Sequence, residues 1–252
     1  MFNNAGYHAY CGAGAMLINL DDTFRSELLL LPARKSNGLL QGLEITVNFV
    51  GNDSNVRIPT ELVVPRLSFS EIFTLFDEQL ALLETCQLFF LQHQLTAWIN
   101  ISPAIAEALL SNEALAAKIR KFPFLEFSIN ENFPDLNKGK DNPSLFLLAK
   151  QYAIVLANFG AGTASTKAIF DGLFKRIILD KNFVQQRLAS PSFEPFIRVI
   201  VSQIEPYCDS LMIAGIDDDQ ALKRASVFPF SAMQGTLWPP VTVEQLTSLV
   251  QP

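Results

Sequence analysis

Cysteine and histidine are scarce in this sequence. Three cysteines, Cys11, Cys86 and Cys208, and two histidines, His8 and His93, stand among 252 residues. The cysteine spacing matches no metal motif and an odd count fits no disulfide framework, so the thiols are expected to be reduced and the protein cytoplasmic. His8 and His93 are far apart and lack neighbouring ligands. His93, near the end of a helical stretch, is expected to be solvated or to serve the helix C-terminus. No apolar run approaches the roughly 20 residues of a membrane span. The first apolar stretch, Ala13 to Leu20, is short, broken by Gly14 and not preceded by a basic region, so no secretory leader is expected. A basic excess is also missing. Nineteen Lys and Arg against 25 Asp and Glu give a net charge of -6, which repels phosphate backbones and argues against direct nucleic-acid binding.

Apolar residues, by contrast, are plentiful. They make up 49% of the chain, with 21 phenylalanines; that suffices for a full core and argues against disorder. Residues 1–22 are rich in Gly, Ala and Asn without a clear period and are expected to be a flexible extension. From residue 23 on, short apolar runs alternate with amphipathic ones. Ser26 to Leu31 and Leu39 to Val50 read as strands joined by the turn Lys35-Ser36-Asn37-Gly38, a hairpin. Ser68 and Glu71 have the capping-box spacing at the head of a helix reaching Gln92. Further strands are expected at Leu95 to Ile101, Phe124 to Ile129, Ile154 to Ala157, Phe174 to Leu179, Leu211 to Ala214 and Phe228 to Met233. Ser102-Pro103, Asn142-Pro143 and Ser190-Pro191 each read as an N-cap followed by Pro at the first helical position, and Val243 to Val250 as a last helix. This alternation predicts one α/β domain over 23–252, a (β/α)8 TIM-like barrel in which the hairpin makes one strand antiparallel.

Six segments at the strand ends carry a family pattern, in order. They are Gly42-Leu43-Glu44-Ile45-Thr46, Trp98-Ile99-Asn100-Ile101-Ser102-Pro103, Asn158-Phe159-Gly160-Ala161-Gly162, Leu179-Asp180-Lys181-Asn182-Phe183-Val184, Ala214-Gly215-Ile216-Asp217 and Gln234-Gly235-Thr236-Leu237-Trp238-Pro239-Pro240. Together they resemble the EAL family, whose barrel has one antiparallel strand and whose active members hydrolyse cyclic di-GMP with Mg²⁺ or Mn²⁺. The segments Ser165 to Arg176, Phe122 to Glu126 and Pro59 to Val63 narrow the resemblance to anti-flagellar members. That likeness implies binding to the FlhD subunit of the flagellar master transcription activator, blocking of its DNA binding and repression of motility.

The resemblance also assigns site positions. Glu44, Asn100 and Gln234 match the family residues, whereas Asn48, Ser128, Ala157, Asn158, Ile178 and Ala214 stand where the family has an arginine, a glutamate, two aspartates, the catalytic lysine and a glutamate. Glu131 matches an outer glutamate. Two hard cations need about six oxygens each, with several carboxylates among them. One carboxylate and one amide cannot hold two such ions against their hydration. Without metals no bound water is acidified, so no catalytic residue, metal or cofactor is expected, and binding of a protein is expected in place of hydrolysis. The retained Glu44, Asn100 and Gln234 leave a non-hydrolysing cyclic di-GMP receptor as the alternative, against which Asn48 counts, and a phosphodiesterase with unfamiliar ligands as the weakest reading. Asp217-Asp218-Asp219 is expected to serve a helix start.

Overall fold

The structure, a computed structural model, describes residues 15–19, 23–52, 56–161 and 166–250. Its strands in chain order are β1 (Leu17–Asn19), β2 (Thr23–Arg34), β3 (Leu40–Gly51), β4 (Arg57–Ile58), β5 (Thr96–Asn100), β6 (Leu125–Asn130), β7 (Ile154–Phe159), β8 (Arg176–Leu179), β9 (Ser210–Ala214) and β10 (Phe230–Gln234). Neighbours run β2-β10-β9-β8-β7-β6-β5-β3, and β3 pairs back onto β2. Among the described residues these eight strands close a barrel. β3 and β5 to β10 are parallel; β2 is antiparallel to both β3 and β10. The expected barrel with one reversed strand is therefore present, and the hairpin turn keeps Gly38 at φ 83°, where a side chain would be strained.

Helices cover the outside. Phe69–Gln92 begins with the full capping box: Ser68 Oγ accepts from Glu71 N–H, and Glu71 Oε2 accepts from Ser68 N–H at 2.7 Å. Ser102 and Asn142 cap helices that start at Pro103 and Pro143. Ser190-Pro191 departs from expectation. Ser190 Oγ accepts from Ser192 N–H at 3.2 Å and closes a local turn, so the helix begins only at Phe193 and runs to Ile204. A separate helix, Lys181–Leu188, precedes it under an Asp180 cap. The last segment, Val243–Val250, is a 3-10 helix.

Of the extension expected at 1–22, residues 1–14 and 20–22 lie outside the described residues. Residues 17–19 are part of the sheet: β1 pairs with Thr23 to Arg25, and Ile18 is buried. β2 and β3 are twice as long as the other barrel strands and run past them, since β3 pairs with β5 only over Gly42 to Ile45. A satellite core of Met16, Ile18, Phe24, Val47, Phe49 and Leu75 fills this projecting end. Glu78, in the helix Phe69–Gln92, holds it there, accepting hydrogen bonds from Met16 N–H and Ser26 Oγ–H.

The main core lies between barrel and helices. A second, small one fills the barrel itself: Ala33, Trp98, Val155, Ile178, Met212 and Ala232. Trp98 fits because Gly42 faces it. A Cβ on Gly42 would lie 2.4 Å from the indole ring and from Thr96 O. Towards the strand starts, Glu126 and Arg176 form a two-pronged ion pair, Nε to Oε2 at 3.0 Å and Nη2 to Oε1 at 3.3 Å. Trp98 Nε1–H donates to Glu126 at 2.8 Å, and Arg176 also reaches Ser210 and Ser231. Burial opposes ionisation of Glu126, but Arg176, Trp98 and Lys175 outweigh it and hold the carboxyl below its usual range. The barrel interior is thus plugged at one end by a satisfied ionic layer and floored in the middle by an indole.

Candidate functional site

The other end, where the parallel strands finish, is open. Strand alternation decides what faces it. Glu44 lies two residues beyond Gly42, Asn100 two beyond Trp98, Ser128 two beyond Glu126, Ala157 two beyond Val155, and Ala214 and Gln234 two beyond Met212 and Ala232. All six therefore share the inward face of their strands in one layer at the mouth. Ile178, in register with Met212, lies just below.

Only some of them touch. Gln234 Nε2 donates to Glu44 Oε2 at 3.0 Å. Asn100 Nδ2 donates to Ser128 Oγ at 3.4 Å. Burial raises the pKa of Glu44, and the Gln234 hydrogen bond pulls it only partly back. Ile178 and Ala214 pack with Trp98 in the inner core, so the mouth has an apolar floor. Asn48 stands apart: it sits four residues beyond Glu44, roughly 13 Å along the strand, on the projecting hairpin opposite Glu27. Asn158 is exposed at φ 57° and opens the turn after β7, its carbonyl accepting from Ala161 N–H. Glu131 Oε1 accepts from Gly160 N–H at 3.0 Å. Of the three acids expected to start a helix, Asp218 and Asp219 do so. Asp218 caps Asp219–Ala225, and Asp217 ties the loop after β10 through Thr236 N–H at 2.9 Å. His93 ends its helix, exposed against the Phe89 ring.

A two-metal centre does not fit this layer. Among the described residues no three of His, Cys, Asp and Glu come together as an ion would require, and Glu44 is already engaged by an amide. A hard dication would have to shed water for one carboxylate above a hydrocarbon floor, which is costly.

The EAL domain model matches residues 33–240. This chain belongs to the EAL family. The anti-FlhC(2)FlhD(4) factor YdiV of Salmonella arizonae is 58% identical over 236 residues, which span 94% of this chain and 100% of that protein. The factor of the same name from Salmonella typhimurium strain LT2 is 57% identical over the same shares. The crystal structure of the EAL-like domain protein YdiV superposes with a TM-score of 0.84 at 46% identity, covering 91% of this chain and 97% of that one. No helix among the described residues of this EAL protein is long and apolar enough to cross a membrane.

Two features of this EAL barrel escaped the sequence reading. The Glu126–Arg176 layer had a usable signal: each is the one charged residue of its strand, at an inward position. The apolar groove on the outer helices, lined by Phe170 and Phe183 among others, had none, because its walls come from three separate helices.

Proposed function

We propose that this protein is a regulator without phosphodiesterase activity, which acts in the cytoplasm by binding the FlhD subunit of the flagellar master activator. Bound there, it blocks DNA binding and represses flagellar genes and motility. The observation that carries the reading is the mouth layer: one carboxylate held by an amide, beside Ser128, Ala157 and Ala214 over Ile178. Where the family's catalysis needs a cluster of anions and a lysine, this layer offers neither, and a bound water has nothing to acidify it. The names of the relatives matched over nearly the whole chain support the choice of partner.

Gel filtration of the purified protein with FlhD at micromolar concentration tests this directly. Co-elution is expected; separate peaks would sink the proposal. One arrangement favours a second reading: Glu44 and Gln234 meet at the mouth, where a nucleotide could be received without being cut. Calorimetry with cyclic di-GMP separates the two, since binding heat with no linear product would make the protein a receptor. A turnover assay with Mn²⁺, reading the linear dinucleotide, is expected to stay at background.

A further inference from the structure

The outer face of the barrel carries an apolar groove bounded by the helices Thr166–Phe170, Lys181–Leu188 and Phe193–Ile204. Ile169, Phe170, Phe183, Ile200 and Ile204 line it. It encloses about 140 Å³, room for one or two side chains, whereas a small-molecule site usually needs roughly 300 Å³ or more. We propose that this groove receives an amphipathic helix of the protein partner, with an acidic residue at one end. The inference rests on the function proposed above and names the surface through which it is exercised.

Shape and charge both point to such an occupant. On one side the groove wall is a single turn of the helix Phe193–Ile204, from Ile200 to Ile204. That suits one or two apolar anchors of a docked helix, spaced i and i+3 or i+4. Phe170 is 50% and Tyr207 41% exposed, with their rings edge to face at 4.9 Å. Large aromatics left in water at a groove mouth are anchors of the kind that dominate interfaces. At the other end Arg187 lies between two rings, 4.3 Å from the Phe183 centroid and 4.7 Å from that of Phe196. Among the described residues it forms no ion pair. Its Nη1 donates to the Phe183 carbonyl at 3.3 Å, and in a chain of net charge -6 a cation with no acid beside it suits an incoming carboxylate. Glu205 and Asp209, exposed near Tyr207, place the opposite sign at the opposite end and so fix the direction of the incoming helix.

The walls are set before anything binds. Arg224 holds Glu194 through two hydrogen bonds and also donates to the carbonyl of Leu188, joining two of the three helices. Asp171 accepts from Lys167 Nζ and from Lys140 N–H, each at 2.8 Å, and fixes the end of the third. A groove that needs no reordering loses less on binding. Thr166, Ile169 and Phe170 also belong to the segment Ser165 to Arg176, one of those on which the likeness to anti-flagellar members rests.

The test is titration of the full chain against FlhC2FlhD4, with Phe170→Asp and Arg187→Gln as variants and thermal melts as a control for folding. Phe170→Asp is expected to weaken binding about tenfold or more, and Arg187→Gln to weaken it less and to flatten its salt dependence, with both melts close to wild type. If the wild type binds and both variants bind equally well, the groove is overturned while the proposed function stands. A wild type that fails to bind the complex overturns that function and the groove with it. Should Phe170→Asp instead split a dimer of this chain and leave partner binding intact, the occupant is a second copy and the proposal is wrong. If Phe170→Asp misfolds, Phe170→Ala, which only trims an exposed ring, gives the same reading.

Discussion

Replacing Arg176 with Met isolates the ionic layer that plugs the barrel. The substitution removes both prongs of the Glu126 pair and the contacts to Ser210 and Ser231. Glu126, 3% exposed, keeps Trp98 and Lys175. The Lys175 side chain is 46% exposed, so solvent screens its charge and it cannot stand in for a buried guanidinium. Leaving a buried charge without its partner costs about 3–5 kcal/mol. For a domain of this size that amounts to a melting temperature roughly 6–20 °C lower. The sign of the pH dependence follows. In the wild type the Glu126 carboxyl is held below its usual range, so its stabilisation is present above the ordinary carboxylate pKa and is lost as pH falls through the lowered value. In Arg176→Met burial prevails, the pKa rises and stability is lost as pH rises. The deficit against wild type should therefore be largest near pH 7 and shrink towards pH 4. Glu126→Gln added to Arg176→Met removes the stranded charge while keeping an acceptor for Trp98, and should restore part of the loss. Calorimetric melts of the three proteins from pH 4 to 8 check this. An Arg176→Met protein that melts with the wild type, or a double variant no better than the single, would refute the reasoning.

Three other outcomes are expected. Gly42→Ala pushes a Cβ to within 2.4 Å of the Trp98 ring and Thr96 O; it should cost about 1–3 kcal/mol, read as an earlier urea midpoint. Glu44, whose pKa burial raises, contributes stability that is full below the ordinary carboxylate pKa and lost as pH climbs through the raised value. Glu44→Gln should consequently melt higher than wild type at pH 7 and lose its advantage at pH 4. Mn²⁺ titrated into the wild type at millimolar concentration should give no saturable two-site heat; a crystal soaked in Mn²⁺ with two ions beside Glu44 would contradict the account of the mouth.

Local chemistry made much of the fold legible. Ser68, Ser102 and Asn142 announce helix starts because their side chains can satisfy free amides within three residues, and each is used so. The same reasoning misread Ser190, whose hydroxyl takes the nearer Ser192 amide, and it passed over Asn112, which caps Glu113–Ile119 by accepting from Ala114 and Leu115. β1 had no signal at all. Three residues carry no period, and their place depends on Glu78, 62 positions from Met16. The mouth was legible as positions, since the motif order puts Glu44, Asn100 and Gln234 at strand ends. Its contacts were not. Glu44 and Gln234 are 190 residues apart, and only closure of the barrel brings them together.

That closure bears on how a barrel keeps its shape without bound metal. A metal site stores repulsion: several carboxylates facing one another are tolerable only when cations are bound. In this chain the mouth holds Ile178 and Ala214 packed on Trp98, and its acid Glu44 has an amide partner. Such a layer needs no ion to be stable, which is the usual direction of exchange between activity and stability. A barrel held by its own core can then use its outer helices as a rigid surface. The groove from Phe170 to Phe183 lies on helices fixed by Arg224 and Asp171. Binding a protein there and binding a nucleotide in the mouth are consequently separable by substitution, and Phe170→Asp should leave the Glu44–Gln234 pair untouched.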